Sequence, residues 1–177
     1  MVLSDRTVHL LEDHVDVAVR IGDLPDSSLV AIALGSIRFV VCASPAYFAE
    51  HGPPMSPGEL VAHDCITFDA LMSAQTWTFT SGKSEVVVPI HSRLIVNTAE
   101  AAVDAALAGA GMTRVLSYQI ANARRANALR VVLEAFEPAP WPVSLIHAGQ
   151  GPLPLKLRAF LDFARPRLRA RLAEPVA

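Results

Sequence analysis

No apolar run in this chain is longer than a β-strand needs. The longest, "LVAIAL" and "FVVCA", are strand-sized and fall far short of the ~18 apolar residues of a membrane-crossing helix. Between such runs stand segments with helical spacing and helix-end signals. A chain that alternates the two must lay helices on a sheet, which predicts an α/β fold with mainly parallel strands. At 177 residues and 52% hydrophobic content there is material for one domain or two small lobes.

The alternation can be followed residue by residue. "VLSDRTVHLLED" reads as a strand remnant and a short helix capped by Ser4 or Asp5, with Val8, Leu10 and Leu11 inward. "HVDVAVRIG" is a strand with Val15, Val17 and Val19 at period two. "DLPDSS" is a turn-rich loop, and "LVAIAL" and "IRFVVCA" are strands either side of Gly35-Ser36. In "VVCASPAYFAEHGPP" the strand stops at Ala43. Ser44 then caps a helix whose first residue is Pro45, and Gly52 ends it. "CITF", "TWTFT", "EVVVPI" and "RLIV" form a β-rich middle, with a turn at Ser81-Gly82-Lys83.

"NTAEAAVDAALAGAG" is a helix with Asn97 as its cap and Glu100 completing a box-like start. Ala101, Ala102, Ala105 and Ala106 give it a small face for close packing on a sheet, and Gly109 and Gly111 end it. "MTRVL" is a buried strand, "SYQIANARRAN" a helix, "LRVVLEAF" and "PVSLIHA" strands, and a helix closes the chain. That last segment carries Lys156, Arg158, Arg165, Arg167, Arg169 and Arg171 among Leu155, Leu157, Phe160, Leu161 and Phe163. It is either an amphipathic helix with a solvated basic face or a phosphate-binding helix.

Several function classes are disfavoured. The start of the chain has neither the basic region nor the apolar core of a signal peptide. Cys42 and Cys65 are the only cysteines and sit in apolar stretches, which points to a reduced, cytoplasmic protein rather than a disulfide scaffold. The net charge of -2 is no DNA-binding footprint. The six histidines have no metal-ligand spacing. "GAGMTR" lacks the Gly-Lys-Ser/Thr of a phosphate loop, no Gly-x-Ser-x-Gly elbow occurs, and the two thiols read as buried structural groups. Neither an enzyme nor a cofactor- or metal-binding protein is expected.

Binding is the better expectation. Ligands of open α/β sheets collect beyond the carboxyl ends of strands, at helix starts, where backbone N–H groups and the helix dipole favour anions. Asn97-Thr98 after "RLIV" and Ser44-Pro45 after "FVVCA" are such places; each also reads as a plain cap. Arg20 ends a strand beside Ile21-Gly22, and can clamp a carboxylate or pair with Asp16 or Asp23. Phe68 and Trp77 are core or pocket wall.

"DHVDVAVRIGDLPDSSLVA", "VVCASPAYFAEHGPPMSPGELVAHDCI", "VNTAEAAVDAALAGAGMTRVLSYQI" and "PLKLRAFLDF" run in the order and spacing of LysR-type transcriptional regulators. The chain resembles the C-terminal effector-binding domain of that family over essentially its whole length. The resemblance implies a two-lobed, type 2 periplasmic-binding-protein-like fold, with a small-molecule inducer between lobes joined by two crossover strands. Val40–Ser44 would then be the first crossover and residues 129–136 would hold the return. Lobe one would be residues 1–42 and 137–177, lobe two residues 43–136. Carried over by position, the ligand-binding residues are Arg20, Ile21 and Gly22 from lobe one and Asn97, Thr98, Met112 and Thr113 from lobe two, with Phe68 and His147 at the rim.

The family's helix-turn-helix domain and linker helix are absent from these residues, and the first strand and helix of lobe one should precede "VLSDR". A sheet lacking that strand leaves backbone groups unpaired, so the isolated chain is expected to be marginally stable or completed by another copy or segment. The function expected is effector sensing for a LysR-type transcription factor, with a small carboxylate or aromatic acid as inducer. The partners expected are that effector and a homodimer or higher oligomer. DNA would be reached only through the helix-turn-helix domain, and no membrane is involved. The alternatives are a solute-binding protein of the same fold, a small α/β enzyme using Cys42 or Cys65, or an inactive fragment.

Overall fold

The structure, a computed structural model, describes residues 10, 14–24, 28–68, 75–149 and 152–173. The helix expected near Ser4 or Asp5 falls outside them, apart from Leu10, which is buried. The chain divides into two units. Unit 1 takes the residues up to Ile37 and those from Pro140 to Pro175, and unit 2 includes Arg38–Ala139. The chain thus passes from unit 1 to unit 2 at residues 37–38 and back at 139–140.

In unit 1, β1 (Val17–Ile21), β2 (Leu29–Ile37) and β10 (Trp141–Ala148) form a sheet in the order β1-β10-β2, antiparallel throughout. Val15 precedes β1, and Val19 is 52% exposed. The strand break expected at Gly35-Ser36 is instead at Arg38. β2 runs through the glycine because it bulges there. Val143 pairs with Gly35 and Ser144 with Ala33, so Leu34 is the extra residue. Helix α4 (Leu155–Ala173) secures the bulge, its Arg169 fork donating two hydrogen bonds, 2.7 and 3.2 Å, to the Ala33 carbonyl. A Cβ on Gly35 would stand 3.2 Å from Leu172. Leu157, Leu161 and Ala164 are buried, and Lys156 pairs with Asp16 at 3.0 Å. The basic face of α4 is therefore partly employed within the fold.

In unit 2, β3 (Phe39–Ala43), β4 (Asp64–Phe68), β7 (His91–Val96), β8 (Met112–Leu116) and β9 (Arg130–Val132) make a sheet in the order β7-β4-β8-β3-β9. Period-two alternation sends neighbouring residues to opposite faces. Val40, Cys42, Ile66 and Val115 pack beneath α2 (Ala99–Leu107), with Ala102 and Ala106 wholly buried. Val41, Ala43, Cys65 and Met112 pack against α1 (Pro45–His51) and the hairpin of β5 (Thr76–Ser81) and β6 (Ser84–Pro89), whose Trp77 and Phe79 are core residues. Burying each such large side chain contributes about 1.5–3 kcal/mol.

The expectation of mainly parallel strands is corrected. Among the described residues only β4·β7 and β4·β8 are parallel; the other pairings run antiparallel. A parallel pair needs a long crossover. The hairpin segment provides it between β4 and β7, and α2 provides it between β7 and β8. The direct turn at Gly82 permits none, so β5 and β6 pair antiparallel.

Local signals fared unevenly. Ser44 caps α1 through the Tyr47 N–H at 3.3 Å, and Gly52 closes it at φ 76°. Asn97 does not cap α2: Thr98 does, accepting the Ala101 N–H at 3.2 Å. "SYQIANARRAN" is a 3-10 turn, Ser117–Ile120, followed by the short helix α3 (Ala121–Arg125). "LRVVLEAF" is strand only over β9, because Leu133 turns left-handed at φ 61° into the 3-10 turn Glu134–Phe136.

Candidate functional site

The proposed ligand residues fall into two groups, one in each unit. In unit 1, Arg20 lies in β1 opposite Ser144 and is half-buried. Asp16, one of its expected partners, is held by Lys156 instead, and among the described residues no acceptor meets the Arg20 guanidinium. Gly22 follows at φ 100°, a left-handed conformation suited to glycine. Its N–H donates to the Pro142 carbonyl at 2.9 Å, and the Trp141 ring lies beside it. Arg20, Ile21 and Gly22 thus share one strand end.

His147 does not join them. It pairs with Val17 at the other end of β1, on the opposite face from Arg20, and is 3% exposed. Its ring is spent on the neighbouring Ala148 carbonyl, 3.0 Å from Nδ1.

In unit 2, Asn97 and Thr98 are exposed at the start of α2. They follow Val96, which is level with Phe68 at the end of β4. Phe68 is 2% exposed and packs beneath α2 as core. Met112 and Thr113 are completely buried and level with Cys65 and Ile66, lower on the sheet. At about 3.3 Å per residue they stand well below the α2 start. The Thr113 hydroxyl donates to the Ile66 carbonyl at 3.1 Å. Both lie within the sheet and not at the exposed start of α2. Ser44 is also 5% exposed, its hydroxyl occupied as a cap.

Sequence reasoning missed the segment after β8. By the rule that selected Asn97, residues beyond the carboxyl end of a parallel strand belong at the same sheet end. These are Ser117, Tyr118 and Gln119. Tyr118 is 52% exposed, while the Gln119 side chain is taken by the Leu116 N–H at 2.9 Å. Both the rule and the end of β8 were available from the sequence, since "MTRVL" closes at Leu116.

Burial pushes both the Cys42 and Cys65 thiols up to about 12, so neither supplies a thiolate near neutral pH. Among the described residues, no cluster of three His, Cys, Asp or Glu side chains could hold a metal ion, and no helix is long and apolar enough to cross a membrane.

Comparison with known proteins gives a consistent result. The family model described as the LysR substrate binding domain matches residues 1–169. The HTH-type transcriptional regulator CrgA of Neisseria meningitidis serogroup C (strain 8013) is 30% identical over 164 residues, covering 92% of this chain and 54% of that protein. The HTH-type transcriptional activator AaeR of Escherichia coli (strain K12) is 29% identical over 154 residues, covering 86% and 50%. The chain spans about half the length of the curated relatives it matches. Among solved structures, the regulatory domain of CrgA from Neisseria meningitidis superposes with a TM-score of 0.76 at 32% identity, over 89% of this chain and 78% of that one. The regulatory domain of AphB in Vibrio vulnificus gives 0.73 at 28% identity, over 84% and 73%.

Proposed function

Because this chain belongs to the LysR substrate binding domain family, the effector-binding part of LysR-type regulators, we propose that it senses a small carboxylate or aromatic acid on behalf of a cytoplasmic transcription factor. Arg20 clamps the carboxylate. Within unit 2, the exposed start of α2, Asn97 and Thr98, offers backbone donors and the positive end of the helix dipole of its own. In unit 1, Ile21 and Gly22 flank Arg20; in unit 2, Tyr118 lies at the same sheet end as Asn97, and Met112, Thr113 and Phe68 hold strands β4 and β8. His147 stays a structural residue of the unit 1 sheet.

The observation that carries this reading is Arg20: a half-buried guanidinium with no acceptor among the described residues. A charge-assisted hydrogen bond contributes about 1.5–3 kcal/mol, and a helix N-terminus adds about 0.3–1 kcal/mol. The effector shifts the regulator between states only by its difference in affinity for them. In the whole protein a helix-turn-helix domain would read DNA and a homodimer or higher oligomer would carry the shift.

The test is calorimetric titration with a panel of small carboxylic acids. At least one acid binds the native chain. Arg20→Ala weakens that acid by about tenfold or more, and Thr98→Ala by a smaller factor. Binding that is indifferent to Arg20→Ala would remove this assignment.

A further inference from the structure

Among the described residues, Arg114 is a buried cation with no hydrogen-bonding partner. It stands in β8, 8% exposed, its guanidinium carbon 5.1 Å from the ring centre of Phe39 and 5.5 Å from that of Phe79. Burial lowers its pKa to about 10. The two rings attract the charge, by about 0.5–2 kcal/mol each, yet they accept no conventional hydrogen bonds. The guanidinium presents five N–H donors in a rigid fork. Among the described residues no acceptor meets these donors, and none of its nitrogens is a wholly buried unpaired atom, so solvent reaches the fork.

Glu137 is near enough for its charge to favour the cation. Its Oε2 is held by Arg38 at 2.7 Å, and its Oε1 meets no donor. A second idle donor lies on the same face of the sheet. The indole N–H of Trp77, two residues before Phe79 on β5, is wholly buried and unpaired. A buried donor left unmet costs roughly 1–3 kcal/mol, and that cost is relieved when an acceptor arrives.

We propose that Arg114, flanked by Phe39 and Phe79, anchors a second small-molecule site within unit 2, one that takes a monocarboxylate with a flat apolar body. The fork matches a carboxylate bidentately, and the aromatic surroundings suit a planar ring. This site is separate from the one at α2. Met112 and Arg114 face the β5–β6 hairpin, whereas α2 packs on the other face of the same sheet.

The two tryptophans allow a direct test, since Trp77 belongs to unit 2 and Trp141 to unit 1. In a Trp141→Phe background, Trp77 emission is followed as phenylacetate is added. A saturable change is expected. Arg114→Met raises the apparent Kd by about tenfold or more, and Arg114→Lys, which keeps the charge but loses the fork, weakens binding less. Neutral phenylacetamide gives no saturable change. Thermal unfolding checks that each variant folds, and if Arg114→Met does not, Arg114→Lys decides. The proposal is overturned by an unchanged Kd in the deciding variant, by equal binding of phenylacetamide, or by no saturable response up to about 10 mM.

Discussion

The Arg38 guanidinium reaches Glu137 across 99 positions of sequence and holds its Oε2 at 2.7 Å. Arg38 is the first residue after the chain leaves unit 1, and Glu137 stands just before the chain returns. One ion pair therefore ties the two connecting segments to each other. Burial raises the Glu137 pKa, and the charge of Arg38 partly offsets it.

Removing Arg38 leaves that carboxylate short of its partner. Arg38→Met is expected to cost about 1–3 kcal/mol, measured by urea unfolding. The sign with pH follows from the raised folded pKa. Without its partner the ionised carboxylate is disfavoured in the fold, so the loss is larger at pH 8 than at pH 5, where protonation relieves it. An equal loss at both pH values would mean that the pair matters by packing alone.

His63 gives the opposite dependence. It is 8% exposed, with Nδ1 3.2 Å from the Tyr47 hydroxyl. Burial, then the nearby His51, lowers its pKa, against the weaker pull of Glu59 and Asp64. The unfolded chain therefore binds this proton more readily, and stability falls as pH drops below the ordinary histidine value of about 6.5. The midpoint of thermal unfolding should decline from pH 7.5 to 5.5, and His63→Gln should flatten that decline.

The two candidate caps of α2 are separable by stability. Thr98→Ala loses the bond to the Ala101 N–H and should cost about 1 kcal/mol. Asn97→Ala should cost only a few tenths, since Asn97 is not the cap. Equal losses in denaturant unfolding would return the cap to Asn97.

Gly111 is irreplaceable on steric grounds. At φ 154°, a Cβ there would stand 2.5 Å from the Asp64 carbonyl oxygen. That oxygen is backbone at the start of β4 and cannot swing aside. Gly111→Ala should lower stability by about 2–3 kcal/mol, with circular dichroism against urea as the measurement.

Cys42 and Cys65, both pushed up to about 12 by burial, should resist a thiol reagent at pH 8 in the native protein and react fully once denatured. Rapid native labelling of either would reveal local opening of the unit 2 sheet.

Much of the fold was legible locally. Ser44-Pro45 and Gly52 bracketed α1 because capping and backbone freedom act within a few residues. "MTRVL" reads as a buried strand and is one, all five residues buried. The candidate site was half legible. Arg20–Gly22 and Asn97-Thr98 could be selected by strand ends and a helix start. Met112, Thr113, Phe68 and His147 could not be sorted, because the same apolar or polar residue serves as core or as rim according to the level its strand occupies.

By itself, then, the sequence determined the order of most elements and the ends that carry strong local signals, as at Ser44-Pro45 and Gly52, since periodicity, caps and turn residues are properties of neighbours along the chain. Only the tertiary structure decided which strands adjoin and in which direction, that β2 bulges beneath Arg169, and that Arg38 meets Glu137 while Arg114 meets two phenylalanine rings. Those outcomes rest on the close packing of residues far apart in sequence, and no local pattern carries that information.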